Sequence, residues 1–253
     1  MSLLITAIIL AKNEEEHIIK CIKSVAFCDE ILVINDNSTD GTIEAINKLD
    51  NKKVRVISYP LNDNFSQSRN FGLQKAQNDW VLFIDSDEQI PEALAFEISN
   101  TLSNWTNKME NEYNGFFIRR FDFLWGKELR YGESGIKLLR LARKNAGKWI
   151  GKVHEKWKIK GKVGLLKNSI VHYPHETIGQ FLREINFYTD VRAQELYGQN
   201  IKAHWWSIII YPISKFILNY IFKRGFLDGI HGLIFAIAMS FHSFLVRSKL
   251  WLL

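Results

Sequence analysis

The sequence predicts an α/β fold with a mostly parallel central sheet, followed by a helical C-terminal extension. Three observations predict it. Short apolar runs bounded by polar turns alternate with helical periodicities through the first hundred residues. The acidic tetrad Asp85-Ser86-Asp87-Glu88 stands directly behind the apolar run Trp80-Val81-Leu82-Phe83-Ile84, and such a run reads as a strand buried on both faces. Past Pro174 the pattern turns helical and then strongly apolar.

Taken in order, residues 3–10 form a buried-strand run, and Asn13 stands where it can cap a helix with Glu14, Glu15 and Glu16 in its first turn. Ile18, Ile22 and Val25 continue that helix at helical spacing. A second strand at 31–34 leads into Asn37-Ser38-Thr39-Asp40-Gly41, a turn and helix start followed by Ile43, Ile46 and Leu49 on one face. Strands at 54–57 and 81–84 flank a helix at 66–76, and Pro91 opens a further helix with Leu94, Ile98 and Leu102 aligned. The βαβαβαβ order implies parallel strands joined by right-handed crossovers. Residues 103–114 are a polar surface connection, and 115–173 read as short strands and basic loops. The chain thus divides into residues 1–175 (with halves 1–102 and 115–175) and a helical region 176–253.

The extension opens with an amphipathic stretch at 177–197. Its apolar tail follows in two runs, 205–222 with Lys215 and Pro212 inside it, and 230–246 with no formal charge. A polar hinge, Lys223-Arg224-Gly225-Phe226-Leu227-Asp228-Gly229, separates them. Spanning a bilayer takes about 20 apolar residues, so two readings stand. One is interfacial or re-entrant attachment strengthened by anionic lipid; the other is a pair of core or dimer helices.

The 253 residues are 47% hydrophobic and 24% charged, which excludes a disordered chain. A net charge of +6 suits anionic partners, yet no nucleic-acid recognition motif accompanies it, and nucleic acid is not an expected partner. Cys21 and Cys28 lack metal-type spacing and read as reduced, buried thiols. The first ten residues lack the basic flank of a signal peptide, so the expected location is cytoplasmic. A homo-oligomer is left open.

In an open α/β sheet, ligands bind beyond the carboxyl ends of the strands. Four polar segments fall at or near such ends: Ala11-Lys12-Asn13-Glu14-Glu15, the 35–42 turn, Phe65-Ser66-Gln67-Ser68-Arg69-Asn70-Phe71-Gly72, and the tetrad. Two carboxylates leaving one strand make an oxygen-rich site for Mg²⁺ or Mn²⁺, which completes its shell with water and phosphate oxygens. Asp85 and Asp87 are the candidate ligands, and a metal-bound nucleoside diphosphate is the expected guest. Arg69 is a planar, always-charged donor suited to phosphate or ribose, or else a partner of Asp36 or Glu14.

These motifs resemble glycosyltransferase family 2, the inverting enzymes of GT-A fold that use nucleotide sugars. The resemblance rests on the acidic strand end before Ser38-Thr39-Asp40-Gly41-Thr42, the Arg69-Asn70-x-Gly72 helix and the tetrad. Asn35 and Asn37 depart from the family's acid and glycine. Gly151-Lys152-Val153-His154-Glu155, His172-Tyr173 and the 225–229 hinge resemble, within it, bacterial enzymes that add a β-linked glucose to inner-core heptose of lipopolysaccharide or lipooligosaccharide. The resemblance implies a UDP-sugar pocket of Ala11, Asn13, Glu14, Asp36, Arg69, Asp85 and Ser86, with Asp36 at the uracil. It implies Asp87, with Asp85, at the metal; His172 is either a further ligand or a core histidine. An inverting reaction needs a base on the acceptor side. Glu155 is the candidate, or else it pairs with a lysine; Lys152, His154 and Trp157 would hold a lipid A–core heptose acceptor. Two rival readings are a polyprenyl-phosphate glycosyl synthase, whose anionic acceptor needs no base, and a non-catalytic nucleotide-sugar-binding or scaffold protein.

Overall fold

The computed structural model describes residues 3–60, 64–103, 113–151, 155–175 and 177–253. The chain folds as two compact units. One holds residues up to 120 together with 137–172, and the other holds 121–136 with 173–253.

The first unit is built on strands β1 (Ile5–Ala11), β2 (Glu30–Asn35), β3 (Val54–Ser58), β4 (Trp80–Asp85), β5 (Glu88–Gln89), β6 (Gly115–Leu124), β8 (Ile136–Arg143) and β11 (Val163–His172). The sheet order is β3-β2-β1-β4-β8-β6-β11-β5. The first four strands are parallel, in the register Ile8↔Leu32, Leu32↔Arg55 and Ile8↔Phe83. The strand β8 then runs antiparallel to β4, pairing Leu141 with Leu82. The expected α/β fold with a mostly parallel core is therefore present, and β1, β2 and β4 are apolar on both faces.

Alternation along these strands sends side chains to opposite faces. On one face Ala7, Ile9, Val33, Leu82 and Ile84 join Ile18 and Ile22 of α1 (Ile18–Ser24), Ile46 of α2 (Thr42–Asn47), and Leu94 and Ile98 of α4 (Glu92–Ser103). On the other, Ile8, Leu32, Val81 and Phe83 meet Leu73 of α3 (Phe65–Lys75) and the paired strands β9 (Gly147–Ile150) and β10 (Lys156–Ile159). Asn64 caps α3 by accepting the Gln67 N–H. Gly72 lets α3 lie flat on the sheet, because a Cβ there would meet Ile8 Cγ2 at 2.9 Å.

Helix α1 departs from expectation. Asn13 takes a left-handed backbone (φ 55°), and the helix begins only at Ile18 after a turn closed by the Glu14 carbonyl. Glu14, Glu15 and Glu16 therefore precede the helix rather than filling its first turn. The physical reason is a competing set of partners, described below. Pro91 likewise stands just ahead of α4, where its carbonyl accepts the Leu94 and Ala95 N–H groups.

In the second unit, β7 (Lys127–Leu129) pairs antiparallel with the far end of β6. Three helices follow: α5 (Ile178–Gly198), α6 (Trp205–Ile217) and α7 (Ile230–Leu252). Thr177 caps α5 by accepting the Gln180 N–H. The 225–229 hinge is tightly held: buried Asp228 accepts the N–H groups of Arg130 and Tyr131 at 3.1 and 2.9 Å. Gly225 is required there because a Cβ would meet the Asn219 carbonyl oxygen at 2.7 Å. The expected apolar run 230–246 extends into a helix of 23 residues, with an 18-residue stretch of mean hydropathy 1.5, long and apolar enough to cross a membrane by length and composition.

Candidate active site

The carboxyl ends of β1 and β2 are joined by side-chain-to-backbone bonds. Asn13 donates its N–H to Ser38 Oγ at 3.0 Å and accepts the Thr39 N–H at 2.8 Å. Glu14 N–H bonds Thr42 Oγ1 at 2.8 Å, and Glu15 N–H bonds Asp40 at 3.1 Å. These bonds satisfy N–H groups that a helix start would otherwise leave open, which is why α1 is delayed. Asn37 is also left-handed (φ 51°), and Asn tolerates this better than most residues. The Asp36 N–H bonds the Ala11 carbonyl at 2.9 Å, and the Asp36 carboxylate takes exposed Lys12 at 2.8 Å. An exposed lysine contributes little to such a pair, so a ligand could displace it cheaply.

At the end of β4, Asp85 continues the Val81–Phe83 face toward α3 and the β9–β10 hairpin. Its Oδ1 accepts from Arg69 at 2.8 Å and its Oδ2 from Arg140 at 2.5 Å. Burial pushes the Asp85 carboxyl up, but Arg140 and Arg69 outweigh that and hold it well below the usual range. Arg140 also reaches Glu88 Oε1 at 2.9 Å, which Arg120 approaches at 3.3 Å. The Glu88 Oε2 accepts the Asp85 N–H at 2.9 Å. Burial raises the Glu88 carboxyl, Arg140 opposes this, and the net shift is upward.

The base candidate comes to the same place. Glu155 Oε1 accepts from Arg69 Nε at 3.0 Å, so one guanidinium bridges Asp85 and Glu155. The hairpin carrying Glu155 is held by the motif helix. Asn70 Nδ2 donates to the Trp149 carbonyl and Asn70 Oδ1 accepts the Trp149 N–H, both at 2.9 Å, while Ser66 Oγ donates to the Gly151 carbonyl. Phe83, Trp149 and Trp157 pack as an aromatic floor, each indole edge-on to Phe83 at 5.0 Å. A cavity of about 640 Å³ opens over this floor, with Arg69, Asp85, Arg140, Glu155 and Lys156 in its wall. Three buried guanidinium nitrogens, Arg69 Nη1, Arg120 Nε and Arg140 Nε, have no acceptor among the described residues. Buried donors without acceptors are costly and mark a place for an anionic ligand.

Across the tetrad, Asp87 Oδ2 lies 3.1 Å from His172 Nε2. Ser86 hydrogen-bonds Glu14, whose carboxyl is raised to about 7, first by burial and then by Asp87. A carboxylate destabilised by its acidic neighbours is what a cation would relieve. Among the described residues no group of three or more His, Cys, Asp or Glu side chains is placed to hold a metal ion. A cation beside Asp87 and His172 would therefore have to take most of its shell from phosphate and water.

Asp85, expected at the metal, has both oxygens on guanidinium groups, those of Arg69 and Arg140. Two expected pairings need correction: Arg69 was weighed as a partner of Asp36 or Glu14 and Glu155 as a partner of a lysine, but Arg69 pairs with both Asp85 and Glu155. Trp157, expected to hold acceptor, is 5% exposed and lies in the aromatic floor that lines the cavity. Lys152 and His154 lie outside the described residues. Arg140 and Arg120 were not foreseen, and Glu88 and Asn70, though inside the motifs, were given no role. The signal for Arg140 was present: a lone arginine inside Leu138-Leu139-Arg140-Leu141-Ala142 must find a buried carboxylate.

Residues 6–125 match the model of Glycosyl transferase family 2. An uncharacterized glycosyltransferase of Rickettsia typhi is 28% identical over 258 residues, covering 97% of this chain and 86% of its own length. The lipopolysaccharide core biosynthesis glycosyltransferase LpsC of Rhizobium meliloti is 26% identical, covering 98% of this chain and 92% of its own. Among solved structures, S. aureus TarS 1-349 in complex with UDP aligns with TM-score 0.51 at 15% identity, covering 98% of this chain and 90% of that one. The same protein in complex with UDP-GlcNAc gives TM-score 0.50 at 16% identity, covering 95% and 81%. The likeness is one of fold, and it agrees with the GT-A arrangement of the sheet. Across residues 6–125, then, this chain is similar to the family 2 glycosyltransferases.

Proposed function

We propose that the protein is a metal-dependent, inverting glycosyltransferase. It moves a hexose, glucose from UDP-glucose, to a heptose of the lipopolysaccharide or lipooligosaccharide inner core at the cytoplasmic membrane face. The observation that carries this reading is the Arg69 bridge, which puts Glu155 from one half of the domain and Asp85 from the other in the wall of one cavity. LpsC, a core-biosynthesis enzyme similar over nearly the whole chain, supports the acceptor class. The UDP and UDP-GlcNAc complexes of TarS agree with a UDP-sugar donor.

The residues divide the work. Asp36, flanked by Ala11 and Asn13, accepts a hydrogen bond from the uracil once Lys12 is displaced. Glu14 and Ser86 line the same pocket. Asp87 and His172 would hold Mg²⁺ or Mn²⁺, which neutralises charge on the departing diphosphate. Glu155 takes the proton of the acceptor hydroxyl as that oxygen bonds the anomeric carbon and the C–O bond to the diphosphate breaks on the opposite side. The state in between is oxocarbenium-like. The unsatisfied N–H groups of Arg69, Arg120 and Arg140 receive anionic oxygens of the substrates. Helix α7 carries enough apolar length to attach the enzyme where its lipid-bound acceptor lies.

The test is mass spectrometry of core oligosaccharide from a strain lacking this protein. A core short of one hexose is expected, and an unaltered core overturns the acceptor assignment.

A further inference from the structure

We propose that the helical unit holds a binding site for the phosphate headgroup of an anionic phospholipid, in a cavity among α5, α6 and α7. This rests on the membrane-face part of the proposed function. The cavity measures about 350 Å³, and Arg192, Lys215 and Arg247 line it with no carboxylate among the described lining residues. Glu195 pairs with Arg192 and Glu133 with Lys215, each at 2.5 Å. Arg247 has a ring for a partner instead: its guanidinium lies over Tyr211 at 4.0 Å. Hydroxyls of Ser214 and Ser243 complete a wall of donors, the chemistry that phosphate oxygens require.

The neighbouring surface says what carries the phosphate. On α6 the cavity-lining residues Tyr211, Ser214 and Lys215, with Leu218 just past its end, recur at helical spacing and form one stripe. Beside it Ile209, Ile210, Ile213 and Ile217 are exposed, as are Phe241 and Phe244 on α7. A free anion has no use for that apolar border. A phospholipid puts its headgroup among the cations and its acyl chains along the isoleucines, the division of labour seen where amphipathic helices meet anionic membranes.

The test uses the full chain and phosphatidylcholine vesicles with and without phosphatidylglycerol. Wild type should prefer vesicles with phosphatidylglycerol. The pair Arg192→Gln and Arg247→Gln should lose roughly tenfold or more of that binding, with Arg192→Lys and Arg247→Lys retaining most of it and unfolding curves unchanged. The control pair Lys202→Gln and Arg224→Gln removes equal charge from exposed positions of the same unit, and should lose less than about threefold. Equal losses in both pairs would mean diffuse attraction and overturn the site. So would saturable binding of inorganic phosphate at Arg192 and Arg247 with vesicle binding undiminished in the double variant. Indifference to both vesicle types would bring down the membrane reading as well.

Discussion

The two ends of the same parallel sheet each bury an ion pair, and they use it differently. At the amino-terminal edge, Glu30 is 6% exposed and every described partner is satisfied. Thr6 Oγ1 donates to it at 2.7 Å, Arg55 at 2.6 Å and the Gln77 N–H at 2.8 Å. Burial pushes the Glu30 carboxyl up, but the Gln77 N–H, Arg55 and Thr6 outweigh it and hold it below its usual value. At the carboxyl edge Asp85, Glu88 and Glu155 share three arginines, yet one nitrogen on each guanidinium stays unsatisfied among the described residues. A closed network stabilises a fold; one with donors left over is built to receive something.

Breaking the carboxyl-edge network should cost most. Arg140→Met leaves Asp85 and fully buried Glu88 without the guanidinium they share, and should lose about 3 kcal/mol or more in urea denaturation at neutral pH. The loss should shrink in acid, where Glu88, already pushed up by burial, takes a proton. A neutral result would mean that Arg69 and Arg120 suffice.

Breaking the amino-terminal network should cost less and leave chemistry alone. Glu30→Gln should lose about 2 kcal/mol at pH 7, with turnover per folded molecule unchanged. Because the folded-state carboxyl is depressed, its stabilising contribution is present above the ordinary pKa of 4.5 and fades as pH falls through the lower folded value. Wild type and variant should therefore converge in acid. A turnover defect in Glu30→Gln would dissolve the distinction between the two edges.

The smallest effect should come from the rim of the carboxyl edge. Asp87→Asn should weaken UDP binding about tenfold in the presence of Mn²⁺, roughly 1.4 kcal/mol, and not at all in chelator. Equal calorimetric affinity with Mn²⁺ for both proteins would remove Asp87 from metal binding.

This contrast was half legible in the sequence. Strand β4 and its tetrad announce the site because a short apolar run reads as a buried strand, and the acids that follow it leave at one end. The Arg69 helix was legible through its motif, but its partners were not. Whether Arg69 meets Asp36, Glu14 or Asp85 depends on how α3 seats against β4, which Gly72 and the β9–β10 hairpin decide through contacts distant in sequence. Arg140 was hidden for the same reason. The late start of α1 escaped a local rule, since three glutamates behind an asparagine do favour a helix start until Ser38, Asp40 and Thr42 offer the backbone other partners. The 121–136 excursion belongs with the helices because its Arg130 and Tyr131 N–H groups bind Asp228, nearly a hundred residues away along the chain.

Glu155, held beside Asp85 by Arg69, is the group we propose to take the acceptor's proton. The most direct test of this role is Glu155→Gln, with UDP-glucose binding measured by calorimetry and transfer to a heptose-terminated core acceptor measured by single-turnover kinetics. Transfer should fall ~10²–10⁴-fold while donor affinity stays within about threefold. Transfer retained within about tenfold of wild type, or donor binding lost in step with transfer, would contradict it.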